Sequence, residues 1–68
     1  MNEELEKRFS YHSPKDDQPE RYVAIRDKAK EFAYQIASLC PQSREQSLAF
    51  TSLEECVMWA NAAIARNE

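Results

Sequence analysis

Six side chains carry the polar chemistry that this sequence spaces in a usable way. Tyr11 and His12 are adjacent, Arg26 and Lys30 stand four residues apart, and Asn61 and Arg66 lie near the C-terminal end. A tyrosine ring offers a flat face on which a nucleobase stacks, worth roughly 1 to 3 kcal/mol per base. Arg26 and Lys30 fall one helical turn apart on one flank and offer donors to phosphate, at about 1.5 to 3 kcal/mol per charge-assisted bond. These are the parts of a nucleotide pocket, and they are also common on any helical surface. The plainer reading has Tyr11 packed over the end of the fold, His12 in water, and Arg26 and Lys30 on a solvated face beside Asp27 and Glu31. Arg66, in a last helical turn, offsets the negative end of the helix dipole by about 0.3 to 1 kcal/mol. In a cyclic oligomer the same arginine becomes a ring of identical cations, suited to a small anion that shares the symmetry. Asn61, on an alanine-rich stretch, suits either a base edge or a hydrogen bond across a helix interface.

Catalysis is poorly supplied. With one histidine and no glycine, a nucleophile, a base and an orienter would have to be assembled across subunits. Glu54 and Glu55 diverge by about 100° on a helix and cannot flank one bond. Without glycine there is no phosphate-cradling loop and no dinucleotide fingerprint. Cys40 and Cys56 come with no CxxC or Cys/His spacing, so no metal or other cofactor is expected. The reading is a binding protein, not an enzyme.

The elements that position these residues are helical. Asn2 caps a short leading helix over 2–8, with Glu3 and Glu4 in its first turn where the dipole favours them. Residues 10–18 form a loop, stiffened because Pro14 pushes Ser13 out of the helical region. Asp17 opens the next helix, 19–39, with Pro19 in the first turn and Glu20 placed to complete a capping box. Its apolar positions, Tyr22, Ile25, Ala29, Phe32, Ile36 and Leu39, alternate steps of three and four in a heptad-like seam. Pro41 stops that helix, and Ser43 restarts the chain as N-cap over 43–67, with Gln46 placed for a second capping box. So short a link permits only an antiparallel return.

The last helix organises the whole. Its apolar stripe runs Ala49, Leu53, Cys56 with Val57, Ala60, and Ala63 with Ile64. Phe50, Met58, Trp59, Ala62 and Ala65 fall outside it, so this helix is apolar round more of its circumference than one partner covers. The chain has 68 residues, scarcely enough for a self-sufficient core. The two cysteines do not help: Cys56 lies roughly 20 Å along the second long helix from its start, whereas bonded Cα atoms stand within about 7 Å. Both thiols are read as small core residues of a protein made in a reducing compartment. Oligomerisation remains. The fold class expected is therefore all-α: one domain over 1–68, a short N-terminal helix plus an antiparallel two-helix hairpin, assembled as a homo-oligomer.

Nine Lys and Arg against twelve Asp and Glu give a formal net charge of −3, with no basic run. That argues against binding a DNA or RNA polymer, and leaves room for a small anion held by a few local cations. No run of 18 apolar residues and no signal-peptide pattern is present, so a cytoplasmic protein without membrane contact is expected.

The stretch FSYHSPKDDQPERYVAIRDKAKEFA, followed by LCPQSREQSLAFTSLEECVMWANAAIARNE, resembles the family of phage anti-CBASS cyclic-oligonucleotide sponges, whose helical hairpin domain is shared with phage anti-Thoeris sponges. The likeness covers essentially the whole chain, and its most distinctive pieces are YHxPKxDQxxRYxxIR and LEExVMWANAAIARN. The resemblance implies a compact helical homohexamer that binds cyclic nucleotide second messengers without cleaving them and so keeps an antiphage effector switched off. It implies that Tyr11 stacks on a base of a cyclic dinucleotide such as cGAMP, with His12 beside it and Arg26 on the phosphate. Lys30 joins them from helix geometry. It further implies a second pocket, for cyclic trinucleotides or cyclic ADP-ribose isomers, using Arg66 of the ARN ending, to which Asn61 is added. The alternative is a small oligomeric helical adaptor that binds a host protein through an apolar helix face, anchored by Met58 and Trp59. A transcription-related helical regulator is disfavoured by charge.

Overall fold

The computed structural model describes residues 2–68. Among them are three α-helices and no strand: α1 (Glu3–Phe9), α2 (Gln18–Leu39) and α3 (Arg44–Asn67). No helix among the described residues is long and apolar enough to cross a membrane.

The capping chemistry divides in an instructive way. Asn2 Oδ1 accepts from the backbone N–H groups of Glu4 at 2.9 Å and Leu5 at 3.4 Å, meeting two of the orphan donors that every helix start exposes. Ser43 Oγ accepts from Gln46 N–H at 3.1 Å. The reciprocal half of that capping box does not form. Gln46 Nε2 donates instead to the Cys40 carbonyl at 3.0 Å, because that oxygen ends α2 without an intrahelical donor. Asp17 stands at the N-cap of α2 but makes no side-chain cap bond, so the box expected with Glu20 is absent. Its carboxylate turns instead to Arg21, with Oδ1 3.2 Å from Nε. Just before it, Asp16 takes φ of +52°, a left-handed conformation that aspartate tolerates better than a branched residue.

At the other end of α2, Cys40 N–H closes on the Ile36 carbonyl at 2.9 Å, and Ser43 Oγ donates to the Pro41 carbonyl at 3.0 Å. The chain reverses there, and α2 and α3 pack antiparallel on each other. Half-buried side chains at this interface include Tyr22, Ile25, Ala29, Ala33 and Ile36 on α2. On α3 they include Ala49, Phe50, Leu53, Val57, Ala60 and Ile64. Phe32 and Leu39, expected in the α2 seam, are 53% and 79% exposed. A straight helix drifts about 20° per heptad from a strict seven-residue repeat, so along the line Ile25, Phe32, Leu39 each step turns further from α3. Cys56 and Ala63, expected in the α3 stripe, are also exposed. Cys56 lies at the edge of the contact, where it lines an open groove with Ile25 and Ala29 of α2.

Among the described residues no apolar side chain is buried, and Gln18, at 3% exposed, is the buried polar one. Cys40 and Cys56 are free and exposed, which corrects their reading as core residues: the hairpin has no closed interior to hold them. The dimensions give the reason. The molecule measures 48 × 26 × 12 Å with a radius of gyration of 15.1 Å, against about 11 Å for a compact domain of this length. Its thinnest extent is close to the diameter of one helix. A single layer cannot enclose a core, which takes two.

Candidate functional site

Two open grooves gather the residues whose chemistry suits a nucleotide. The first, of about 470 Å³, runs along the middle of the hairpin, with Ala29, Phe50, Leu53 and Met58 as an apolar floor and Arg26 and Lys30 at its edge. Both cations are exposed. Glu31, expected beside them, pairs instead with Lys28 at 3.4 Å, and among the described residues neither Arg26 nor Lys30 has a carboxylate within ion-pair distance. Glu54 borders the same groove and is the charge that an incoming phosphate meets with repulsion.

The second groove, of about 360 Å³, lies at the end where the last turns of α3 face the loop after α1. It is lined by Arg8, His12, Tyr22, Asn61, Ala65 and Arg66, among others. Asn61, Ala62, Ala65 and Arg66 are half-buried, and they line this groove with Tyr22 of α2, Arg8 of α1 and Ser10 and His12 of the loop. Part of the apolar excess read on α3 is thus absorbed within the chain. Met58 and Trp59 are not; they stay 62% and 68% exposed.

His12 is fixed in this groove, not free in solvent. Its Nε2 lies 2.9 Å from the Lys7 carbonyl. A carbonyl only accepts, so Nε2 carries the proton and, in the neutral ring, Nδ1 is left as the acceptor. Asn61 Oδ1 is buried with no hydrogen-bond donor among the described residues, an acceptor whose desolvation nothing in the chain offsets. Arg66 makes no ion pair among the described residues. The groove is therefore lined by an uncommitted cation, Arg66, and by an asparagine whose Oδ1 is buried without a donor.

Tyr11 lines neither groove and is 86% exposed, so it does not pack over the end of the hairpin. Its backbone sits between the docked His12 and α1, leaving the ring in solvent. The structure thus brings His12 together with Asn61 and Arg66, brings Arg26 together with Lys30, and joins Tyr11 to neither pair.

Beside the second groove is a cluster that spacing did not reveal. Arg21 Nη1 donates to Glu68 Oε2 at 2.8 Å, and Arg21 Nη2 bonds the other carboxylate oxygen. Gln18 Nε2 donates to Glu68 Oε1 at 3.3 Å, while Lys15 N–H donates to Gln18 Oε1 at 3.1 Å. Lys15 Nζ reaches the Glu68 main-chain oxygen at 2.9 Å. The hydrogen bonds from Arg21 first, and Gln18 second, hold the Glu68 carboxyl down at about 2, and the same bond raises the Arg21 guanidinium further above its already high value. Only the Asp17–Arg21 spacing of four hinted at any of this. Glu68 is 47 residues from Arg21, beyond any local pattern.

A family model described as Acb2/Tad1, hairpin domain, matches residues 1–65. The chain belongs to this family. Acb2/Tad1 hairpins are the family of phage anti-CBASS and anti-Thoeris sponge proteins, binding domains known for taking up cyclic oligonucleotides. No curated protein and no solved structure matches the chain. On this Acb2/Tad1 hairpin, the two grooves are where cationic side chains border an apolar floor, the combination that a sugar–phosphate ring carrying bases calls for.

Proposed function

We propose that the chain sequesters intact cyclic oligonucleotide second messengers and thereby blocks CBASS antiphage immunity, working in the host cytoplasm as a homohexamer and without catalysis. Membership of the Acb2/Tad1 family over residues 1–65 carries this reading. The groove chemistry supports it.

A cyclic dinucleotide such as cGAMP is held by Arg26 and Lys30 on phosphate, Arg26 with a bidentate grip, and by Tyr11 stacking on a base beside His12. Arg26 lies about 12 Å along α2 from Gln18 at 1.5 Å per residue, and Tyr11 lies in the loop before that helix. The dinucleotide site is accordingly completed between copies, Tyr11 of one chain closing over the Arg26 groove of another. A cyclic trinucleotide is held at the second groove, where Arg66 meets phosphate and Asn61 reads a base edge.

Titration calorimetry with cGAMP and a cyclic triadenylate tests the assignment. Tyr11→Ala weakens cGAMP by about 5- to 150-fold, the equivalent of one lost base stack, and spares the triadenylate. Arg66→Ala does the reverse. Equal weakening of both ligands by both changes contradicts two separate sites. The exposed Met58 and Trp59 favour a second reading, an oligomeric adaptor seated in a host protein's groove; it takes precedence if the wild-type chain retains no cyclic nucleotide.

A further inference from the structure

The second groove has two walls, and one residue ties down the wall that the end of α3 forms. On one side Arg66 and Asn61 project from the last two turns of α3; on the other His12 projects from the loop. Last turns fray, because their carbonyls lack intrahelical donors, and loops of this kind move more than the helices they join. Glu68 follows directly on α3, two residues beyond Arg66. Its side chain is gripped by Arg21 through both carboxylate oxygens and by Gln18, both from the first turns of α2. Its main-chain oxygen is gripped by Lys15, three residues from His12 in the loop. Gln18 ties the arrangement together, since its other amide atom accepts from Lys15 N–H, and it is the buried residue of the hairpin. Asp17 Oδ1 stands 3.2 Å from Arg21 Nε, an ion-pair distance that leaves Nε without a hydrogen bond.

An exposed ion pair alone contributes little to stability. Four bonds converging from the loop and from α2 on one residue do something different: they fix where the end of α3 stands. We infer that Lys15, Gln18 and Arg21 form a clasp on Glu68 that acts as a positioning device, pre-setting Arg66 at the end of α3 for the cyclic ligand of the second groove. The inference rests on the reading of that groove as a ligand site. Arg26 lies mid-way along α2, and the loop that carries Tyr11 and His12 is held by its own bonds, His12 to the Lys7 carbonyl and Lys15 N–H to Gln18, so the dinucleotide site does not depend on Glu68. Its effect is therefore selective between ligands, which a general contribution to stability is not.

The test uses the full chain, with a cyclic triadenylate and cGAMP as probes and helicity followed by circular dichroism. Glu68→Gln and Arg21→Ala each weaken the triadenylate by about 5- to 10-fold, the cost of ordering one or two more side chains on binding, and leave cGAMP within about twofold. Arg21→Lys, which keeps the charge, recovers part of the loss. If Arg21→Ala unfolds the chain, Glu68→Gln, which keeps the side chain's size, decides. Weakening of both ligands alike overturns the positioning role in favour of a merely structural one. Unchanged triadenylate binding in both variants, with Arg66→Ala still damaging, overturns the clasp while leaving the groove in place. Should Arg66→Ala bind the triadenylate as wild type does, the groove itself is misassigned and the clasp falls with it.

Discussion

Glu68 has the best-defined charge in the molecule. Hydrogen bonds from Arg21 and then Gln18 lower its carboxyl from 4.5 to about 2, so the folded chain holds this proton less well than the unfolded one. The linked stability is fully present above about 4.5 and is lost as pH falls through about 2. Arg21 stays cationic throughout and Asp17 sits on its far side, so the carboxylate is the group of the pair that titrates there. Thermal melts recorded down that range show wild type losing stability more steeply than Glu68→Gln, and superimposed slopes contradict the pairing. None of this was legible beforehand, since the partners are far apart in sequence. The loop position of His12 is legible in the sequence, but the solvated ring of the plainer reading does not form, because its bond to Lys7 joins the loop to a helix that only three dimensions bring near. Tyr11, which the plainer reading packs over the hairpin's end, is 86% exposed.

At the scale of elements, much was legible, because capping and apolar periodicity are local. Asn2 and Ser43 cap their helices as read, Pro41 marks the reversal, and steps of three and four mark the face that α2 and α3 share. The misreadings are physical as well. A strict heptad was extended along a helix that is not supercoiled, so Phe32 and Leu39 drifted out of the contact. Asp17 had a choice of partners and took Arg21 over the backbone. The two caps therefore respond differently to truncation. Ser43→Ala removes a made cap bond and lowers stability by about 0.5 to 2 kcal/mol. Asp17→Ala removes only a solvent-exposed ion pair, worth about 1 kcal/mol at most. Chemical denaturation of both variants checks the order, and a larger loss from Asp17→Ala contradicts it.

The whole molecule is one layer of helices, with Met58, Trp59, Phe32 and Tyr34 in solvent. A chain that buries so little cannot offset the entropy of ordering itself. Assembly is an expectation from length and from the surplus apolar residues of α3, of which Ala62 and Ala65 line the second groove. Self-association makes stability depend on concentration, so wild-type melting temperature rises with protein concentration and light scattering finds an assembly. Trp59→Glu lowers both, and a concentration-independent monomer contradicts the assembly. What the protein holds is decided by a simpler measurement. The protein is incubated with cGAMP and a cyclic triadenylate, freed of unbound nucleotide, heated to denaturation, and the released nucleotide identified. Recovery of either ring intact, in amounts that follow the protein, is the result this account predicts. Recovery of linear or hydrolysed products, or of no nucleotide at all, contradicts it.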